Sequence, residues 1–452
     1  MGKEMTSMKN SELLMDYKLQ AVFQRRLRKQ PLAVQSKLKA MGKCCKAMAP
    51  VSNGVVAVVA SREVTTGRAV RAGFHGTVKC HNLWACPVCA AAALTERAHA
   101  LTSTLKELSA THYAFMITYT IPHTRRQPAD LVIGKFQQVR RKGIHGTAEK
   151  FQREVLRPLG TVTTSEVTYS MFGWHYHQHV LYVIPKENWQ YVEEFFRLVE
   201  AGWTRALIMT FPGYSQKKYR SGSPVYLSRN RKGAVLQVTD GRYLVGYGSE
   251  LTKSRMGHKQ RLNGVRGSRN LFDLITGTDE EFDLLCEWLL ASRGLNRMRV
   301  TSRLKVLLDK HVAEKKISDT ATIETSVVGS FTASGWHDLT EAEIVTGLPL
   351  RYGVLKSALD GYDSVVKFLA RHNVNVQFLP STRVFLQRTG AEAEELAADM
   401  EVRKRRVQAT KMPSGVHDDI MMLAAQREKN LKAIEEYRRW AAATYKNCTI
   451  VS

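Results

Sequence analysis

The sequence predicts an α+β protein centred on an antiparallel sheet laid down in the order β-α-β-β-α-β. Three observations predict it. Between residues 114 and 239, runs rich in β-branched and aromatic residues alternate with stretches of helical apolar spacing. One run, "GWHYHQHVLYVI" (173–184), carries histidines at alternate positions, the period of a strand, and then turns apolar. Five of the seven cysteines lie before residue 90, which sets a cysteine-rich segment ahead of the sheet.

The elements follow in order. Residues 1–43 read as a basic helical segment with "FQRRLRKQ" as its densest charge, either a phosphate-contacting face or a solvated one. Residues 44–110 hold the cysteines and end in a helix-like stretch from Ala90 to Leu108. Residues 111–262 supply the sheet. "AFMITYTI" (114–121) is a strand and "GTAEKFQREVL" (146–156) a helix. "TVTTSEVTYS" (161–170) and "YHQHVLYVI" (176–184) are strands joined by a short turn holding Gly173. "ENWQYVEEFFRLVEAGW" (187–203) is a helix, "AVLQVT" (234–239) the last strand, and "RYLVGYGSELTKS" a helix after it. That order is the split ferredoxin-like arrangement. Residues 263–315 read as a helical extension with the amphipathic "DEEFDLLCEWLLAS". Residues 316–452 read as a mostly helical C-terminal region, polar and linker-like near 316–335 and highly charged over 390–445.

At 452 residues the chain is long enough for two or three domains. Its net charge of +26 attracts polyanions, nucleic acid foremost. No apolar run of about 18 residues and no signal-peptide pattern is present, so a cytoplasmic protein without membrane partners is expected. The odd cysteine count argues against a secreted disulfide scaffold. The absence of a Walker A pattern removes any P-loop argument for a motor or helicase.

Three groups of residues carry candidate chemistry. Alternate side chains of a strand share a face about 6.6 Å apart, so His175, His177 and His179 point together. Two adjacent imidazoles can hold one ion, whereas the outer pair is about 13 Å apart. Glu166 on the preceding strand can add a carboxylate, or can simply face solvent. Two imidazoles and a carboxylate suit Mn²⁺ or Mg²⁺ in phosphoryl chemistry, and Zn²⁺ fits imidazole as well. Cys80, Cys86 and Cys89 have C-x₅-C-x₂-C spacing, which suits a structural Zn²⁺. Cys44 or Cys45 would complete that site, with His75 and His81 as further candidates, and buried reduced thiols are the alternative. Tyr243 and Tyr247, at i and i+4, share a helix face, either as nucleophiles or as a core stripe. A phenol with a pKa of about 10 attacks only beside a metal or base. Glu250 and Lys253 are placed to position phosphate or water, or to solvate the helix.

"GWHYHQH" resembles the Gly-Trp-His-Pro-His-x-His signature of rolling-circle replication initiators of plasmids and phages, in the His-hydrophobe-His (HUH) endonuclease superfamily. "SEVTYS", "FMITYTIPH", "YLVGYGSELTKS", "CHNLWACPVC" and "RGLNRMRVTSRLK" resemble further motifs of that family and occur in its order over about residues 44–305. The chain has Gln178 between the last two histidines, Tyr176 where proline is common and Gly246 where lysine is usual.

The resemblance implies an HUH core that nicks and rejoins single-stranded or extruded origin DNA. His177 and His179 would be the metal pair and His175 the additional histidine of the longer motif. Tyr243 and Tyr247 would form a two-tyrosine arrangement giving a 5′-phosphotyrosine. Host helicase and polymerase would be the partners, in a bacterial cytoplasm, with the gene on a plasmid or phage. A transposase or relaxase of the same chemistry is one alternative. A non-catalytic DNA-binding regulator with a zinc module is another.

Overall fold

The structure is a computed structural model describing residues 4–49, 52, 54–212, 214, 225–227 and 268–380. It divides into two compact units, Met1–Cys80 with Thr322–Ser452, and His81–Ala321. Segments near both ends of the chain thus share a unit.

The first unit opens with helices α1 (Glu4–Leu27), α2 (Leu32–Lys37) and α3 (Lys39–Lys43) and strands β1 (Val55–Glu63) and β2 (Ala69–His75). The chain then builds the second unit. Helix α4 (Pro87–Leu108) precedes strand β3 (His112–Thr120), helices α5 (Ala129–Ile144) and α6 (Thr147–Phe151), and strands β4 (Gly160–Ser170) and β5 (Gly173–Pro185). Helix α7 (Val192–Thr210), strands β6 (Val225–Leu227) and β7 (Arg269–Asn270), helices α8 (Leu271–Ile275) and α9 (Asp279–Ala291), strand β8 (Met298–Val300) and helix α10 (Ser302–Thr322) complete it. The chain returns to the first unit with strand β9 (Ile323–Thr332), helices α11 (Ala333–Thr346), α12 (Leu350–Ala358) and α13 (Tyr362–Arg371), and strand β10 (Phe378–Pro380).

The protein is therefore mixed α+β with antiparallel sheets. In the second unit the strand order is β6-β3-β5-β4-β7, with β8 also paired to β4. Every pairing in it is antiparallel. The strand expected at 234–239 lies outside the described residues, and the strand bonded to the free side of β3 is Val225–Leu227.

The helix expected over 146–156 is present, as a five-residue α-helix running into a π turn over Gln152–Leu156. The long helix of this crossover is α5, whose Ala129, Val132, Ile133, Phe136 and Val139 are buried at helical spacing. It packs closely on α7. A Cβ on Gly202 would lie 2.3 Å from the carbonyl oxygen of Gly143, so only glycine permits this approach. Behind these helices lies one face of β5. Phe136 meets Tyr176 at 4.7 Å between ring centroids, and Phe195 meets Tyr182 at 5.3 Å.

The opposite face of the sheet carries a second apolar cluster. Ala100, Leu101 and Leu105 of α4 and Leu304 and Leu308 of α10 cover Ala114, Met116, Val162, Leu181 and Val183.

The first unit is built on a sheet ordered β10-β9-β1-β2. Phe74, Phe331 and Trp336 form its aromatic core. The polar stretch 316–335, expected as a linker or irregular segment, instead ends α10 and supplies β9, which pairs with β1 from Val55 to Glu63. Its small and hydroxylated residues alternate well enough to bond as a strand between two partners, although few of them signal burial. The charged region 390–445 lies outside the described residues.

Among the described residues, no helix is long and apolar enough to cross a membrane.

Candidate metal centres

The polarity change in "GWHYHQHVLYVI" follows the cover on the sheet. On one face of β5, His177 lies between Thr120 of β3 and Glu166 of β4, and His179 between Thr118 and Thr164. Further along the same face, Leu181 lies between Met116 and Val162, and Val183 between Ala114 and Gly160. Helices α4 and α10 seal that apolar half. The half with the histidines stays reachable, with side-chain exposures of 12% for His177, 13% for His179 and 29% for Glu166.

Glu166, His177 and His179 form a group able to hold a metal ion, with their ligand atoms all within 4.8 Å of one another. Glu166 Oε2 lies 2.9 Å from His177 Nε2 and 3.4 Å from His179 Nε2. Adjacent ligand atoms of an octahedral shell with bonds of about 2.1 Å lie ~3.0 Å apart. In a tetrahedral zinc shell they lie ~3.3 Å apart. The two Glu166–histidine separations are of this size. Burial alone would raise the Glu166 carboxyl pKa, but hydrogen bonds from His177 and His179 outweigh it and hold the group well below the ordinary carboxylate range. The carboxylate is therefore ionised, as a metal ligand must be.

The two rings are held differently. Thr118 Oγ1 lies 2.7 Å from His179 Nδ1 and fixes that ring with Nε2 towards Glu166. His177 Nδ1 is buried without a hydrogen-bond partner among the described residues.

His175 stays outside the three-residue group. Its ring stacks on His123 at 4.9 Å with planes 13° apart, and lies 4.8 Å from the His177 ring. Sequence reasoning missed His123 and Thr118, because only the β3–β5 pairing brings them here. It also missed Arg297, although the residue lies within the quoted segment "RGLNRMRVTSRLK". Arg297 is buried, accepts at its carbonyl from Ser165 N at 2.7 Å and donates to the carbonyls of Leu83 and Trp84. Burial lowers its pKa to about 10, against the opposing charge of Glu166.

The polar residue between the histidines has a structural explanation. Gln178 and Tyr176 face the opposite side of the sheet and both donate to the buried Ser165 hydroxyl, at 3.0 and 3.1 Å. The Gln178 amide nitrogen is thus bonded away from the candidate ligands, while its buried side-chain oxygen has no hydrogen-bond partner among the described residues.

The second centre is made of thiols. Cys44 and Cys80 lie together in the first unit, and Cys86 and Cys89 at the start of α4 in the second, a group of thiols whose chemistry suits a structural metal such as zinc. Cys86 caps the N-terminus of α4, Pro87 follows at the first turn, and the Cys89 amide donates to Cys86 Sγ at 3.5 Å. The Cys80 amide donates to Cys44 Sγ at 3.4 Å. Such amide bonds stabilise thiolates. Of the two candidates for a fourth ligand, Cys44 is the one that lies against Cys80. Cys45 instead accepts from Lys79 Nζ at 3.0 Å, and its contact with Cys44, together with burial, pushes its thiol pKa up. His75 and His81 are exposed and outside the group.

Tyr243, Tyr247, Glu250 and Lys253 lie outside the described residues. Comparison of the chain with models of known protein families gives no match, and comparison with curated proteins gives none either.

Proposed function

We propose that the chain is a rolling-circle replication initiator of the HUH type, a metal-dependent enzyme that nicks and rejoins single-stranded origin DNA. The observation that carries this reading is the convergence of Glu166, His177 and His179 on the reachable half of a sheet face. The strand order supports it too. From β3 to β6 the chain runs β-α-β-β-α-β, with those strands arranged β6-β3-β5-β4, as in the split ferredoxin-like arrangement. The net charge of +26 suits a polyanionic substrate.

Mn²⁺ or Mg²⁺ bound by these three side chains would supply Lewis-acid polarisation of a phosphodiester. Glu166 contributes the negative charge of the set, and Thr118 keeps the His179 ring in register. A phenolate from Tyr243 or Tyr247 would form an O–P bond to the scissile phosphorus. The P–O3′ bond would break, and the departing oxygen would take a proton to become a 3′-hydroxyl. After one round the second tyrosine would cut the regenerated junction in the same way. The 3′-hydroxyl it frees would attack the first phosphotyrosine, forming the P–O3′ bond and releasing the first phenol. A water, or Glu250 acting on one, is the alternative that would instead hydrolyse the link. Cys44, Cys80, Cys86 and Cys89 would hold a structural Zn²⁺ with no part in the chemistry.

The test is direct. The protein is incubated with single-stranded oligonucleotides and Mn²⁺, with and without EDTA, and examined for a covalent adduct by denaturing electrophoresis. An adduct that needs the ion and disappears in the Tyr243→Phe/Tyr247→Phe double variant supports the reading. Oligonucleotide binding with no adduct under any condition would favour a DNA-binding regulator instead.

A further inference from the structure

The row of imidazoles runs towards the tip of the β4–β5 hairpin, and the surface there is unusual. The tip consists of Met171 and Phe172, which are 57% and 64% exposed. Exposed neighbouring apolar side chains at a two-residue turn are costly to solvate and contribute nothing to the core. The turn is fixed. Gly173 has φ +92°, and a Cβ there would lie 2.7 Å from the Thr124 carbonyl oxygen and 2.8 Å from Arg125 Cα. The absence of that Cβ lets the segment after β3 press against the hairpin. This segment carries the exposed Arg125 and Arg126, with the Arg125 backbone against the base of the hairpin tip and Arg126 the next residue along. Arg125 also bonds to Tyr169, the last residue but one of β4 before the turn. On the same segment, His123 stacks on His175.

One strip therefore runs from His179 and His177, through His175 and His123, to Phe172, Met171 and the two arginines. It spans about 23 Å along β5. A polyanion with flat apolar groups matches such a strip, since arginines take phosphates and an exposed aromatic ring stacks an unpaired base. A double helix offers no free base face to the ring.

We infer that the β4–β5 hairpin tip is a stacking subsite for single-stranded nucleic acid. Phe172 receives an unpaired base, Met171 packs against it, and Arg126 neutralises a flanking phosphate, which guides the strand to the histidine–glutamate centre. This rests on the reading that the centre acts on a phosphodiester, and deepens it by naming where the strand is held.

The experiment uses the full chain in EDTA, so that binding is separated from cleavage. Affinity for a fluorescein-labelled single-stranded oligonucleotide of mixed sequence is measured by anisotropy at several salt concentrations. Phe172→Ala should weaken binding about 5- to 100-fold, and Phe172→Trp should restore it. Arg126→Gln should lower the slope of log affinity against log salt by about one. Duplex affinity should be unchanged by Phe172→Ala. Mn²⁺ affinity, followed by electron paramagnetic resonance, should be unchanged as well. Unaltered single-strand affinity in a folded Phe172→Ala variant overturns the inference and leaves the proposed cleavage untouched. A Phe172→Ala effect on sedimentation instead of on binding also overturns it, and assigns the tip to contact with a second copy. A wild-type chain that binds no oligonucleotide overturns both.

Discussion

Thr118 Oγ1 lies 2.7 Å from His179 Nδ1, across the β3–β5 register that pairs these two residues. The hydroxyl occupies one ring nitrogen and leaves the other facing Glu166. Outer partners of this kind typically set metal affinity by a factor of 10 to 100. Thr118→Val keeps the shape and removes the hydrogen bond. Mn²⁺ affinity, measured by calorimetric titration, is expected to fall about 10- to 100-fold with an unchanged circular dichroism spectrum. Equal affinities in the two proteins would mean that the hydroxyl does not orient the ring.

The two adjacent thiols at Cys44 and Cys45 make a discriminating pair. Only Cys44 accepts from the Cys80 amide, whereas Cys45 accepts from Lys79. The purified chain is expected to release close to one zinc per chain to a chromophoric chelator after thiol modification. Cys44→Ser and Cys86→Ser should abolish that release, and Cys45→Ser should keep it. Zinc retained in Cys44→Ser and lost in Cys45→Ser would reverse the ligand assignment.

Much of the first centre was legible in the sequence because its geometry is that of a strand. Alternation puts His177 and His179 on one face, and a short hairpin sets Glu166 opposite His177. His123 and Thr118 were not legible, since β3 is far from β5 in sequence and nothing local announces their pairing. Helix α5 carried its signal in Val132, Ile133 and Phe136, yet Lys135, Arg140, Arg141 and Lys142 dilute it on the outer side. Strand β6 is three residues long, too short for a period to show. In β9, residues such as Thr325, Ser326 and Ser330 mask a strand that the β1 ladder imposes. Composition shows which residues prefer a strand, but not which strands find partners.

Arg351 is 1% exposed and its neighbour Glu343 is 3% exposed, so a charge pair is buried in the first unit. The guanidinium also donates to Gln24 Oε1 at 2.6 Å and to the Cys45 carbonyl at 2.7 Å. The Arg351 amide donates to the Glu343 carboxylate as well. Removing one partner leaves an uncompensated charge inside the protein. Glu343→Ala is expected to cost about 3–5 kcal/mol, read as a lower urea midpoint for the transition of this unit. The double variant Glu343→Leu/Arg351→Met removes both charges and should recover much of the loss. A single variant as stable as wild type would show that the guanidinium finds water there.

The crossing of α5 and α7 sets the plane behind the histidine strand. Gly202 sits where a Cβ would lie 2.3 Å from the Gly143 carbonyl oxygen, a backbone atom that cannot rotate away. Gly202→Ala must therefore part the helices. Trp203 follows directly, and its indole donates to the Thr120 carbonyl at 2.9 Å, on the residue paired with His177. Parting the helices draws this indole from β3. The expected cost is about 1–3 kcal/mol, seen as a lower melting temperature, with a red shift in tryptophan emission as Trp203 meets water. Because Thr120 neighbours the candidate metal ligands, any Mn²⁺ affinity they confer should fall with stability. A variant with wild-type melting and emission would mean that the helices separate at no cost, and that their close approach does not hold the strand in place.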